Sequence, residues 1–180
     1  MNRKRKLSHK INYIAYVASS IDGRIAKSNQ SGTDWTSKED WNFFQKSISK
    51  FDAVVVGHNT YKVAENWLKK RRTIVFTSRY SFLKSIDSVT FLNPAHVNFL
   101  NFIHEANFKK IAILGGPKVY TFFLENKMLD ELFVTIEPYI FINGVPMFSG
   151  DRFHKYRFIL QSVKKLNKRS TILLHYKNGN

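Results

Sequence analysis

The stretch DAVVVGHNTYK, residues 52–62, decides the fold. Ala53 to Val56 are apolar without alternation, so both faces of the segment must be covered, as in a strand inside a parallel sheet. Gly57 ends the run, and a helix is expected over 59–66. TIVFTS at 73–78 and KIAILGG at 110–116 repeat the pattern, and SVTFL at 88–92 is a weaker copy. A strand is expected at 12–19, and helices at 37–49, 95–107 and 117–126. Residues from Arg157 onward read as a hairpin turning near Asn167–Lys168, by their alternation and β-branched content. Strands alternating with helices predict an α/β fold: a three-layer, mixed and mainly parallel sheet with helices on both faces and a C-terminal antiparallel hairpin. One domain over 11–178 is expected, after a basic tail of residues 1–10.

The composition narrows the function classes. At 180 residues with 43% hydrophobic content, the chain supports one domain with a sizeable core. No apolar run reaches the roughly 18–20 residues of a spanning helix, and the basic N-terminus lacks the apolar core of a signal peptide. The absence of cysteine removes disulfides, thiolate metal sites and thiol nucleophiles, and no metal is expected. A cytoplasmic protein acting on a small molecule fits best, as a monomer or a homodimer. The net charge of +16 is spread along the chain without a nucleic-acid motif. It therefore points to anionic small molecules ahead of nucleic acid.

Three strand ends offer phosphate-binding chemistry. Gly57 is followed by His58, Asn59 and Thr60 at a helix start, where backbone N–H groups and the helix dipole favour an anion. Gly115 and Gly116 are followed by Pro117 at a first helical position and by Lys118. Thr77, Ser78 and Arg79 end a third strand with two hydroxyls and a guanidinium. Ligands of such sheets bind beyond the carboxyl ends of the strands, which makes a nucleotide cofactor the expected occupant. The basic and hydroxyl groups at His58, Thr77, Ser78 and Arg79 could meet a 2′-phosphate, which favours NADPH over NADH.

A further segment, DWTSKEDWNFF at 34–44, sets Asp40 in the first turn of a helix among Trp35, Trp41, Phe43 and Phe44. Asp40 has a bland reading as the acid of a capping box begun by Thr36 or Ser37. Its chemical reading is a desolvated carboxyl group with a raised pKa, suited to binding a heterocycle and delivering a proton near neutrality.

Taken in order, SIDGRIA, WTSKEDWNFF, VVVGHNTY, ILGGPKVYTFFL and LDELFVTIEP resemble the dihydrofolate reductases and the related reductase domain of riboflavin biosynthesis. The resemblance covers Tyr13 to Tyr176. It implies a dihydrofolate-reductase-like fold with a central eight-stranded sheet and NADPH as hydride donor. On the folate branch it implies that Asp40 grips the pterin, with Thr135 hydrogen-bonded to it and Trp35 placing the water that carries the proton. Phe44 would pack on the pterin, Leu68 on the benzoyl ring and Arg71 on the glutamate carboxylate, with Ala18 also lining the substrate. Tyr120 would border the nicotinamide, with Ile25 and Val119 beside the cofactor. SSIDGRIA and the Glu-Pro of VTIEP look more like the pyrimidine-reductase branch. That branch's paired-acid-proline motif is absent, with AENWL standing in its place. The expected activity is NADPH-dependent reduction of 7,8-dihydrofolate to tetrahydrofolate. The alternative is reduction of the riboflavin-pathway 5-amino-6-(5-phosphoribosylamino)uracil, or of another heterocycle.

Overall fold

The computed structural model describes residues 10–179. The expected basic tail lies, but for Lys10, outside the described residues. In chain order the elements are β1 (Asn12–Ser19), β2 (Arg24–Ala26), α1 (Lys38–Ile48), β3 (Ala53–Gly57), α2 (His58–Leu68), β4 (Thr73–Phe76), β5 (Lys84–Ile86) and β6 (Val89–Leu92). They continue with α3 (Phe99–Glu105), β7 (Lys110–Ile113), α4 (Pro117–Glu125), β8 (Glu131–Ile136), β9 (Val145–Pro146), β10 (Phe158–Lys165) and β11 (Ile172–Asn178).

Among the described residues the main sheet has nine strands in the order β10-β11-β8-β1-β7-β3-β4-β6-β5. The eight strands implied by the resemblance are thus exceeded, because β5 adds a short antiparallel edge to β6. The interior pairings from β8 to β6 are all parallel. The opposite edge is the expected hairpin, β11 joining β8 antiparallel and β10 joining β11. Its turn is built by Asn167, whose side-chain oxygen accepts the N–H groups of Arg169 and Thr171.

The sequence pattern explains the layers. Side chains alternate across a strand, so Ala53, Val55, Ile74, Phe76, Ile111 and Ile113 join one core with Phe99 and Ile103 of α3 and Phe123 of α4. Val54, Val56, Val75 and Ala112 join a second core with Ile48 of α1 and Tyr61 and Leu68 of α2. Two of the expected helices change length. α3 begins only at Phe99, because the Asn93 side chain accepts the Ala95 N–H and holds residues 94–97 in turns before Asn98 caps the helix. α2 runs to Leu68 across a kink at Ala64, whose φ of −115° is not helical.

Candidate active site

The carboxyl ends of the parallel strands open into a cleft of about 1430 Å³. That exceeds the roughly 300–1,000 Å³ of a site for one small ligand, so it has room for a cofactor and a substrate together.

One end of the cleft is built from helix starts. Gly57 is the N-cap of α2 and Gly116 of α4, and neither cap makes a side-chain hydrogen bond. By contrast Ser37 caps α1 and Asn98 caps α3 with their side chains. The helices left uncapped are the pair that open into the cleft, where their free N–H groups can serve an anion. The two starts are tied together by the Gly57 N–H donating to the Gly115 carbonyl at 2.7 Å. A Cβ on Gly57 would lie 3.3 Å from Val119 Cγ2 and 3.6 Å from the Gly116 nitrogen, so a side chain there would crowd the start of α4. Gly115 has a φ of +97°, and a Cβ there would meet the Tyr120 ring at 2.9 Å. His58, Asn59, Thr60, Thr77, Ser78, Arg79, Lys118 and Val119 line this end. Neither His58 ring nitrogen has a partner among the described residues. Burial, with Arg79 and Lys62 nearby, holds its pKa below the ordinary value, so the ring is a neutral donor and acceptor facing the cleft.

The other end is aromatic. Tyr16, Trp41, Phe43, Phe44, Trp67 and Phe133 line it around Asp40. Phe44 stacks on Trp67 with centroids 5.5 Å apart. Tyr16 stacks on Phe133 at 4.9 Å. Burial raises the Asp40 pKa, and the charge of Glu137 acts in the same direction. A hydrogen bond with Thr135 works against them. The result is a carboxyl group that keeps its proton to higher pH than a solvated aspartate. Between the ends, Ala18, Ile25 and Tyr120 line the cleft, with the Tyr120 hydroxyl donating to the Tyr16 carbonyl at 2.6 Å.

The structure therefore brings Ala18, Ile25, Asp40, Phe44, Gly57, His58, Asn59, Thr60, Leu68, Thr77, Ser78, Arg79, Gly116, Lys118, Val119, Tyr120 and Thr135 to one cleft. Gly115 contributes its carbonyl rather than a lining surface. Two expected residues lie elsewhere. Trp35 packs edge-on against Phe141 with centroids 4.9 Å apart and does not line the cleft. Arg71 lays its guanidinium 3.6 Å over the Trp67 ring and lines a separate small pocket with Gln45 and Ile48. Sequence reasoning missed Trp67 and Phe133 as walls, and it missed Asn93–Pro94 and Asn143–Pro146 as rims. It also missed Glu137 behind Asp40. The loop after β2 also lines the cleft, with Lys27, Ser28, Asn29, Ser31, Gly32 and Thr33.

The family model of the RibD C-terminal domain matches residues 13–172. The chain belongs to the RibD C-terminal domain family. An uncharacterised protein of Bacillus subtilis, YwjB, is 28% identical over 175 residues, covering 91% of this chain and 95% of YwjB. A pyrimidine reductase-like protein of Corynebacterium diphtheriae superimposes with a TM-score of 0.74 at 22% identity, covering 94% of this chain and 92% of that one. The Thermotoga maritima diaminohydroxyphosphoribosylaminopyrimidine deaminase/5-amino-6-(5-phosphoribosylamino)uracil reductase superimposes with a TM-score of 0.70 at 18% identity. There the match covers 94% of this chain and 57% of the bifunctional one. Of the two branches the sequence resembles, the family match falls on the RibD C-terminal domain, and the solved structures share its α/β fold.

Proposed function

We propose that this RibD-family chain is an NADPH-dependent reductase of a C=N bond on an amino-substituted pyrimidine of the riboflavin-pathway type. The observation that carries it is the meeting, in one cleft, of a desolvated Asp40 carboxyl with two uncapped, glycine-led helix starts. The pyrimidine reductase-like protein and the bifunctional uracil reductase among the similar structures support a pyrimidine as substrate.

NADPH fits the cofactor end by the chemistry of its donors. The pyrophosphate would take the N–H groups beyond Gly57 and Gly116, and the 2′-phosphate would take Thr77, Ser78, Arg79 and the unpartnered His58 ring. When bound, NADPH supplies a hydride. A glycosylamine opens to an imine, and reducing that imine adds hydride to carbon and a proton to nitrogen, turning C=N into CH–NH. The chain's own task is the proton and the orientation. Protonated Asp40 accepts a substrate N–H at its carbonyl oxygen and donates the proton on its second oxygen toward the imine nitrogen. The Thr135 hydroxyl fixes the plane of the carboxyl group and stabilises the carboxylate left after transfer. Phe44, Trp67 and Phe133 cover the planar ring and keep water from the imine.

Dihydrofolate reduction remains a second reading, favoured by the aromatic wall, which would suit a pterin and a benzoyl ring. The test is NADPH oxidation with the phosphoribosylamino-pyrimidine, its dephosphorylated form and dihydrofolate in parallel. Turnover of a pyrimidine above dihydrofolate supports the proposal, and turnover of dihydrofolate alone overturns it.

A further inference from the structure

The start of α1 carries an inference that rests on the reductase reading above. Ser37 caps the helix, its Oγ accepting the Asp40 N–H at 3.3 Å. Asp40 is the third residue of that helix, where an acidic side chain ordinarily folds back onto the N–H of the capping residue. Here that N–H is already taken: Ser37 donates it to Glu137 Oε1 at 2.6 Å. Glu137 follows β8 directly and is 2% exposed. Its other oxygen accepts the Thr171 hydroxyl at 2.7 Å, and Asn167 braces that hydroxyl with a bond of 2.9 Å. Among the described residues no cation is paired with Glu137. A buried carboxylate held only by neutral donors is costly to keep.

We propose that Glu137 is a positioning residue for Asp40: it occupies the capping N–H that Asp40 would otherwise claim, releasing the Asp40 side chain into the cleft, and faces it with a buried negative charge. The charge opposes ionisation of Asp40, in the same direction as burial and against the Thr135 hydroxyl. The other groups around Asp40 do not supply it. Glu39 on the same helix turns outward, meeting Asn167 at 3.2 Å with Lys38 and Arg169 nearby. Tyr16 on β1 is pushed up to about 12 by burial and stays neutral. His175 on β11 is tied to Glu131 at 2.6 Å and sits opposite Phe133, two residues back along β8 from Thr135. On the loop, Lys27 is paired with Asp34 at 3.8 Å. On α2, Glu65 is paired with Lys69 at 2.7 Å.

The test follows the Asp40 carboxyl carbon by NMR titration of the full chain without substrate, in the wild type and in Glu137→Gln. Glutamine keeps a carbonyl acceptor for the Ser37 N–H and removes the charge. The expected result is an Asp40 midpoint at lower pH in the variant, with NADPH binding unchanged. The alkaline limb of turnover should move with it, so activity above that limb falls severalfold while activity below it is retained. An unmoved midpoint overturns the proposal. Should the variant fail to fold, Glu137→Asp decides: its shorter side chain gives up the Ser37 N–H to Asp40, so the Asp40 midpoint must fall, and an unmoved midpoint overturns the role. A shifted midpoint in a protein that turns over none of the three substrates would leave the positioning role standing and remove the reductase reading.

Discussion

At the scale of single residues, Asp40 combines two properties that pull in opposite directions. Its pKa is raised, so between its ordinary value near 3.8 and its folded value the native state holds a proton that the unfolded chain has lost. Stability therefore falls as pH rises through that window and stays reduced above it. Asp40→Asn should raise Tm at neutral pH while lowering turnover by about a hundredfold or more, the contribution of a placed acid. Calorimetry and NADPH-oxidation rates check the two halves, and a variant with lower Tm and full activity would make Asp40 structural. Arg71 has the opposite character. Its guanidinium covers the Trp67 ring from outside the cleft, so Arg71→Ala should cost about 0.5–1 kcal/mol of stability and leave KM within about twofold. A large rise in KM would mean that Arg71 swings into the cleft when substrate binds. Both residues stood out in the sequence through the spacing that the family resemblance implies. Spacing brought Asp40 to the cleft because one helix turn fixes its neighbours Ser37 and Phe44. It did not locate Arg71, because the side chain follows a kinked helix whose end the sequence does not specify. Glu137 was legible only as part of a motif, since its partner Ser37 is 100 positions away.

At the scale of elements, the two glycine-led helix starts open into the cleft without side-chain caps, and the proposal that they hold the cofactor yields a separable prediction. Gly57 has an ordinary extended conformation with φ −80°, so valine there should leave the sheet intact. Its side chain would nevertheless press on Val119 and on the Gly116 nitrogen. Gly57→Val is expected to raise the Kd for NADPH about tenfold or more, near 1.4 kcal/mol, with little change in Tm. Titration of NADPH fluorescence measures it, and unchanged affinity would move the pyrophosphate elsewhere. Gly115→Ala differs, because its φ of +97° and the Tyr120 ring at 2.9 Å strain any side chain, so that change should destabilise the whole domain. The interior strands β3, β4 and β7 were readable because burial on both faces leaves an unbroken apolar run. The short strands β5 and β9 were not, since two or three residues carry no periodicity and form only against a partner already in place.

At the scale of the whole molecule, the parallel sheet brings residues from distant parts of the chain to one edge, and the fold class was legible from the repeated strand pattern. The substrate branch was harder to read. Spacing around Asp40, Phe44 and Thr135 pointed to the folate branch, whereas SSIDGRIA and VTIEP pointed to the RibD side. Both of those segments converge structurally: Asp22 accepts the N–H groups of Phe141 and Ile142 at 3.0 and 2.9 Å, tying the first turn to the loop after Glu137. The charge of +16 acts at this scale too. NADPH and a phosphorylated substrate are anions, so association should be steered by the field of the chain. Raising ionic strength, which shortens the screening length to about 3 Å at 1 M, should lower kcat/KM severalfold and leave kcat nearly constant. A salt-independent kcat/KM would assign the charge to something other than ligand capture.

The central claim is tested most directly by a single turnover with NADPH deuterated at the transferable position and the phosphoribosylamino-pyrimidine as acceptor, followed by mass analysis of the product. The account predicts one deuterium on the new CH–NH carbon, formed at a rate that Asp40→Asn depresses. Oxidation of the cofactor without deuterium in the pyrimidine, or deuterium appearing only when dihydrofolate is supplied, would contradict it.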